Sequence, residues 1–105
     1  MPKRFRKFAQ LQSLALDSEG VIDVTPLQYL TNLKSLSLWR NSITDVSPLA
    51  ALTNLEALDI RNNNVTDISA LATLTKLKAL YLEGNPIANQ TCPLAEGVCR
   101  WTGKP

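Results

Sequence analysis

The chain has 105 residues, of which 45% are hydrophobic, and its 11 Lys and Arg residues stand against 9 Asp and Glu residues. This length supports one domain, and a net charge of +2 is too small to indicate a nucleic-acid partner. The sequence has no run of the roughly 18 apolar residues that a membrane-spanning helix needs. It also has no histidine, which excludes every mechanism that depends on an imidazole base or ligand.

Leucine accounts for 18 residues, and the leucines recur with a period of 22. Four repeats begin at residues 11, 33, 55 and 77 and continue without insertion to about residue 91. Each repeat opens with Leu-x-x-Leu-x-Leu, in which Ile60 is the one replacement. A fixed period of this length is typical of a solenoid, in which stacked repeats bury a continuous core that no single repeat could bury alone.

Residues 1–10 are predicted to be a partial N-terminal repeat or cap, since Phe5 and Phe8 precede Leu27 and Leu30 by one period. The segment contains four basic residues but no apolar core, so we do not expect it to be a signal peptide. Its cations would attract an anionic membrane surface or nucleic acid, or they form the polar skin of a terminal repeat. The small net charge favours the second interpretation. The basic residues are Lys3, Arg4, Arg6 and Lys7.

Within each repeat, the leucines two positions apart have the strand period and point to one face. Identical strands that return every 22 residues must run in the same direction, so the sequence predicts a parallel sheet. The return segment contains Thr25-Pro26 and Ser47-Pro48, in which a hydroxyl is expected to cap a helix that has proline at its first position. The few residues left before Thr31 allow one or two helical turns, α or 3₁₀.

An asparagine follows the last strand leucine by three positions in three repeats. Asn41, Asn63 and Asn85 are predicted to form a buried ladder, because an amide can donate to and accept from the backbone of neighbouring turns. Another column holds Asp23, Asp45 and Asp67. These aspartates could form a calcium site, but we expect each to accept backbone N–H groups in its own turn.

Residues 92–105 are predicted to be a C-terminal cap, because Pro93 and Glu96 replace two of the repeating leucines. Cys92 and Cys99 are candidates for a disulfide or for two buried thiols. Their spacing does not match zinc ligand pairs, and there is no second pair, so no metal site is predicted.

The pattern LxxLxLxxNxIxDVSPLxxLTN resembles the leucine-rich repeat superfamily, and more narrowly the 22-residue class of bacterial internalins and eukaryotic phosphatase regulators. Residues 85–101, NPIANQTCPLAEGVCRW, are similar to the C-terminal cap of bacterial, often cyanobacterial, members. The resemblance implies an α/β fold: a right-handed solenoid with a concave parallel sheet of about four short strands and a convex layer of short helical or 3₁₀ segments. It also implies non-catalytic binding of another protein.

The outward strand positions are expected to face the concave side. Trp39 and Arg61 fall on neighbouring strands, with Tyr81 diagonal to Arg61, and these residue types dominate binding hot spots. The alternative is a surface cluster in which Arg61 stacks on Trp39 and pairs with Glu83. The predicted binding residues are Trp39, Arg40, Asp59, Arg61, Tyr81 and Glu83.

We therefore predict a protein-interaction module that binds a protein or peptide and is not an enzyme, since no base–nucleophile pairing or glycine-rich loop is present. No cofactor is expected, and a monomer is favoured. Binding of a membrane or nucleic acid by the basic arm, or a structural role within a longer repeat protein, are the alternatives. The sequence favours a cytoplasmic location unless the chain is a piece of a longer protein.

Overall fold

The computed structural model describes residues 8–102, which form a solenoid with one parallel sheet. The sheet has five short strands in chain order, so each strand pairs with the next one along the sequence. The strands are β1 Ser13–Ala15, β2 Ser35–Ser37, β3 Ala57–Asp59, β4 Ala79–Tyr81 and β5 Cys99–Arg100. Three 3₁₀ helices, Thr25–Tyr29, Ser47–Ala51 and Ser69–Thr73, connect the first four strands.

The register of the first four strands follows the sequence period. Leu14 pairs with Leu36, Leu36 with Leu58, and Leu58 with Leu80, so each pair is one repeat apart. The predicted parallel sheet and short return helices are confirmed, and the described returns are 3₁₀ rather than α.

The sheet has one strand more than the four predicted from the leucine register. A full period after Leu80 would reach Thr102, but Leu80 pairs with Cys99 and Tyr81 pairs with Arg100. The last connection is therefore shorter than the others. It contains no 3₁₀ helix of the kind found in the preceding repeats. The predicted cap segment thus adds a strand to the sheet.

The hydrophobic core lies between the sheet and the 3₁₀ helices and consists of the repeating leucines with Val and Ile. Leu36, Leu58 and Leu80 are at most 1% exposed. At the N-terminal end Leu14 is only half-buried and Phe8 is 40% exposed. Core positions lose burial there because no described repeat stacks against the outer side of β1.

The predicted hydroxyl caps of the return helices are wrong. The 3₁₀ helices begin at Thr25 and Ser47 themselves. The residue before each helix is a valine, Val24 or Val46, whose side chain cannot accept a hydrogen bond. The aspartate two residues before each helix start takes the role instead: Asp23 Oδ1 accepts the N–H of Thr25 at 2.9 Å, and Asp45 Oδ1 accepts that of Ser47 at 2.9 Å. Asp67 accepts the N–H of Ser69 in the same way. Hydrogen bonds from the hydroxyl and the N–H of Thr25 lower the pKa of Asp23, and the N–H and hydroxyl groups of Ser47 and Ser69 lower the pKa of Asp45 and Asp67 in the same way.

The C-terminal segment packs against the far end of the core. Val98 is buried, and Leu94 and Trp101 pack against the core cluster. Of the two states left open for the cysteines, the structure has the disulfide between Cys92 and Cys99.

The basic arm at residues 3–7, with Phe5, lies outside the described residues. Within residues 8–102, no helix is long and apolar enough to cross a membrane.

Candidate functional site

Strand alternation places five of the six candidate binding residues on the sheet surface opposite the core, and Arg40 reaches the ring of its neighbour Trp39. In β3 and β4, the central Leu58 and Leu80 point into the core, whereas Asp59 and Tyr81 point outward. Trp39 and Arg61 follow β2 and β3 by two positions, so they share this outer face. We call the following group the sheet patch: Trp39, Arg40, Asp59, Arg61, Tyr81 and Glu83.

Asp59 and Arg61 form the most strongly bonded pair of the sheet patch. Arg61 Nη2 lies 2.8 Å from Asp59 Oδ2 and its Nε lies 3.0 Å from Oδ1, so the pair is bidentate. Asp59 Oδ1 also accepts the backbone N–H of Arg61 at 3.0 Å. The side chains are 33% and 16% exposed for Arg61 and Asp59, respectively. The hydrogen bonds that Arg61 donates to Asp59 raise the pKa of Arg61 further, so its guanidinium stays charged.

Arg61 also stacks on an aromatic ring, and that ring belongs to Tyr81. Its guanidinium carbon lies 5.4 Å from the centroid of the Tyr81 ring, within the range of a cation–π contact. The sequence had suggested stacking on Trp39 and pairing with Glu83. The observed partners differ because residues two apart on one strand share a face, which brings Asp59 within reach of Arg61. Glu83 acts on Arg61 only as a nearby charge.

Trp39 is held by its neighbours rather than by Arg61. The guanidinium of Arg40 lies 5.3 Å from the centroid of the Trp39 ring. Asp17 Oδ1 accepts the backbone N–H of Trp39 at 2.8 Å and the hydroxyl of Ser37 at 2.5 Å. Arg40 has a φ of 59°, a left-handed conformation that is uncommon for residues other than glycine, asparagine and aspartate.

Arg100 is a sheet-face residue that the sequence analysis did not find. It pairs with Tyr81 across β4 and β5, and its guanidinium carbon lies 5.8 Å from the Tyr81 ring centroid. Its Nε donates to the carbonyl of Gly97 at 3.0 Å. The 22-residue period hid this residue, because it assigned no strand to residues 99–100. The available signal for an outward residue at this position was its two apolar neighbours, Cys99 and Trp101, which pack against the core.

The three asparagines support the strand ends below this face. Asn63 Oδ1 accepts the N–H of Ile43 at 3.1 Å, and its Nδ2 donates to the carbonyls of Leu38 at 2.9 Å and Ile60 at 3.0 Å. Asn41 and Asn85 make the equivalent bonds one repeat earlier and later. Asn41 and Asn63 are buried, whereas Asn85, at the end of the ladder, is half-buried.

In the part of the chain that the structure describes, no three His, Cys, Asp or Glu side chains are grouped to hold a metal ion. The aspartates that could have formed a calcium site each accept hydrogen bonds in their own turn. The sheet patch itself consists of aromatic rings, guanidinium groups and carboxylates, which suit non-covalent recognition.

Comparison with known proteins agrees with the repeat fold. A family model described as "Leucine Rich repeats (2 copies)" matches residues 31–73 and again residues 53–96. The two matches together span more than half of the sequence. The chain belongs to the leucine-rich repeat family. No curated protein matches the chain.

Solved leucine-rich repeat structures are similar over most of the chain. An internalin (inlF) from Listeria monocytogenes superposes with a TM-score of 0.77 at 42% identity, covering 80% of this chain and 25% of that one. Internalin C2 (inlC2) of the same organism gives a TM-score of 0.81 at 31% identity, covering 97% of this chain and 46% of its own. A leucine-rich repeat protein of Leptospira interrogans gives 0.59 at 29% identity, covering 67% and 18%.

These matches make the chain a leucine-rich repeat protein of the bacterial internalin type. It spans less than half the length of either internalin. Leucine-rich repeat proteins of this type are commonly protein-interaction modules, and the family and structural matches indicate no catalytic family.

Proposed function

We propose that the chain is a non-catalytic interaction module that binds a protein or peptide through the sheet patch. The observation that carries this proposal is the arrangement of two aromatic rings, Trp39 and Tyr81, each in contact with a guanidinium on the same face of a rigid sheet. Tryptophan, tyrosine and arginine are the residues most enriched in binding hot spots.

Parts of the patch already have bonded partners within the chain. Arg61 is fixed by the carboxylate of Asp59, and the backbone of Trp39 is fixed by Asp17. Binding to side chains that are already immobilised loses less conformational entropy than binding to free ones. The bidentate pair therefore acts as a support that presents the Tyr81 ring.

The surface beside the patch is open to a partner backbone. The first outward position of each of the four repeats has only a small side chain, so a peptide can approach the sheet closely there. These residues are Ser13, Ser35, Ala57 and Ala79.

The size of the sheet limits the strength of binding. Five strands about 4.8 Å apart span roughly 19 Å from the first to the last. This footprint is smaller than a standard interface of about 800 Å² per partner. We expect affinities in the micromolar range for these residues alone, and tighter binding where further repeats extend the sheet.

Selection from a displayed library of random peptides tests the proposal. Peptides selected on the wild-type chain should bind Trp39→Ala and Arg61→Ala at least about fivefold more weakly, the loss of roughly 1 kcal/mol expected at a hot spot. Thr44→Ala, an exposed position away from the strands, is the control and should bind like wild type. Unchanged affinity of both patch variants, with their unfolding midpoints preserved, would overturn the proposal.

A further inference from the structure

Tyr81 lies between two arginines that differ in their ion pairing. β4 stands between β3 and β5, and Arg61 and Arg100 approach the Tyr81 ring at 5.4 Å and 5.8 Å from these two sides. Arg61 is paired with Asp59 through a bidentate ion pair. Arg100 has no carboxylate within ion-pair distance among residues 8–102.

Arg100 keeps hydrogen-bonding capacity that these contacts do not use. Its Nε donates to the carbonyl of Gly97, and its two terminal nitrogens make no hydrogen bond to any described residue. The guanidinium is half-immobilised by this bond and by the Tyr81 ring. A planar guanidinium with its terminal edge free matches the two oxygens of a carboxylate.

We propose that Arg100 and Tyr81 form a carboxylate subsite that takes an aspartate or glutamate side chain of the bound peptide. The inference rests on the proposed function and names the chemistry of the partner. The Asp59–Arg61 pair on the other side of Tyr81 shows the same arrangement within this chain. There an arginine that contacts the Tyr81 ring is also paired with a carboxylate. At β5 the sheet ends, so within the described chain no further strand supplies the second carboxylate.

The position of the subsite depends on the disulfide. Arg100 directly follows Cys99, whose bond to Cys92 joins β5 to the loop before it. The carbonyl of Arg100 accepts the N–H of Leu82 at 2.9 Å, which aligns the arginine with the other outward strand residues. Arg100 is thus held on the sheet by covalent and backbone bonds, neither of which uses the terminal nitrogens of its guanidinium.

The test is a selection of displayed peptides that are fused through their C-terminal ends, so that only side-chain carboxylates are present. Peptides whose binding depends on Trp39 should be enriched in Asp or Glu at one position. Replacing that residue by its amide, Glu→Gln in the peptide, should weaken binding to the wild-type chain about tenfold, the worth of one charge-assisted hydrogen-bonded pair. The substitution Arg100→Gln should weaken binding of the acidic peptide by a similar factor. This variant should bind the acidic peptide and its amide form with equal affinity.

Two matched variants separate this subsite from general charge attraction. Lys34→Gln removes the same charge from an exposed position outside the sheet patch and should keep the preference for Glu over Gln, while Arg100→Lys should keep only part of it. Trp39-dependent peptides without acidic enrichment, or a Glu preference that survives in Arg100→Gln, would overturn the subsite and leave the proposed function standing. A selection without any Trp39-dependent peptide would overturn both.

Discussion

The side-chain amide of Asn63 donates to the carbonyl of Leu38, 25 residues earlier in the chain, at 2.9 Å. The same amide accepts the N–H of Ile43 through its oxygen, so one side chain joins two successive repeats. Its exposed fraction is 5%, and water cannot replace these bonds. The asparagine ladder is therefore the polar counterpart of the leucine core, and it holds the strand ends that carry the sheet patch.

Asn63→Ala should lower the free energy of unfolding by about 1–3 kcal/mol for each buried backbone group that is left unpaired. Asn64→Ala is the control, because Asn64 is exposed and should change stability by less than about 0.5 kcal/mol. Urea denaturation of both variants measures the difference. Equal losses would show that the ladder contributes nothing specific.

A side chain at Gly84 is expected to be costly. Its φ is 81°, and a Cβ there would overlap the side chain of Asn62, which would have to move, and would lie 3.1 Å from the Asn62 Cα. Gly84→Ala should therefore destabilise the chain more than Gly20→Ala, whose φ of 71° is similar but whose surroundings are open. The left-handed backbone alone costs alanine about 1–2 kcal/mol. Thermal unfolding of the two variants separates the cost of the backbone from that of the contact, and an identical loss would argue against the contact.

Removing the disulfide should destabilise the C-terminal end of the solenoid. The bond between Cys92 and Cys99 closes a short loop, and its loss should lower the free energy of unfolding by about 2–3 kcal/mol in the chain-entropy model. The double variant Cys92→Ser, Cys99→Ser is compared with wild type by urea denaturation, with and without a thiol reductant. The wild-type chain should respond to the reductant and the variant should not. Unchanged stability on reduction would contradict the expectation.

Acid should destabilise the chain partly through the three turn aspartates. Hydrogen bonds lower the folded-state pKa of Asp23, Asp45 and Asp67 below the ordinary 3.8, so the unfolded chain binds protons more readily. Their contribution is complete well above pH 4 and is lost as the pH falls through the folded-state pKa.

The triple variant Asp23→Asn, Asp45→Asn, Asp67→Asn keeps an oxygen acceptor in each turn but cannot titrate. Its unfolding temperature should fall less than that of the wild-type chain between pH 5 and pH 3. The same fall in both proteins would assign the acid sensitivity to other carboxylates.

The sequence period predicted the parts of the fold that repeat. The pairs Leu14–Leu36 and Leu36–Leu58 follow directly from 22-residue spacing, because identical segments must stack in register. The same reasoning failed at β5, where Pro93 and Glu96 end the pattern and the connection shortens. A period contains no information about the segment that terminates it.

The face shared by the candidate residues was predicted better than their contacts. Trp39, Arg61 and Tyr81 lie on one face, as alternation requires. Their contacts depend on side-chain rotamers, which the spacing does not determine. Arg61 pairs with Asp59 and contacts the Tyr81 ring, and Arg40 contacts the Trp39 ring. Arg100 joins Tyr81 only through β5, a strand that the repeat pattern did not predict.

The most direct test of the account is an NMR titration of the labelled chain with a peptide selected on it. The indole N–H of Trp39, the Nε–H of Arg61 and the backbone amides of residues 79–83 should shift with one common affinity, because all of them lie on the sheet patch. The amides of the 3₁₀ helices at 47–51 and 69–73 should stay unchanged. Shifts confined to the 3₁₀ side, with the Trp39 and Arg61 signals unmoved at saturation, would contradict binding through the sheet patch.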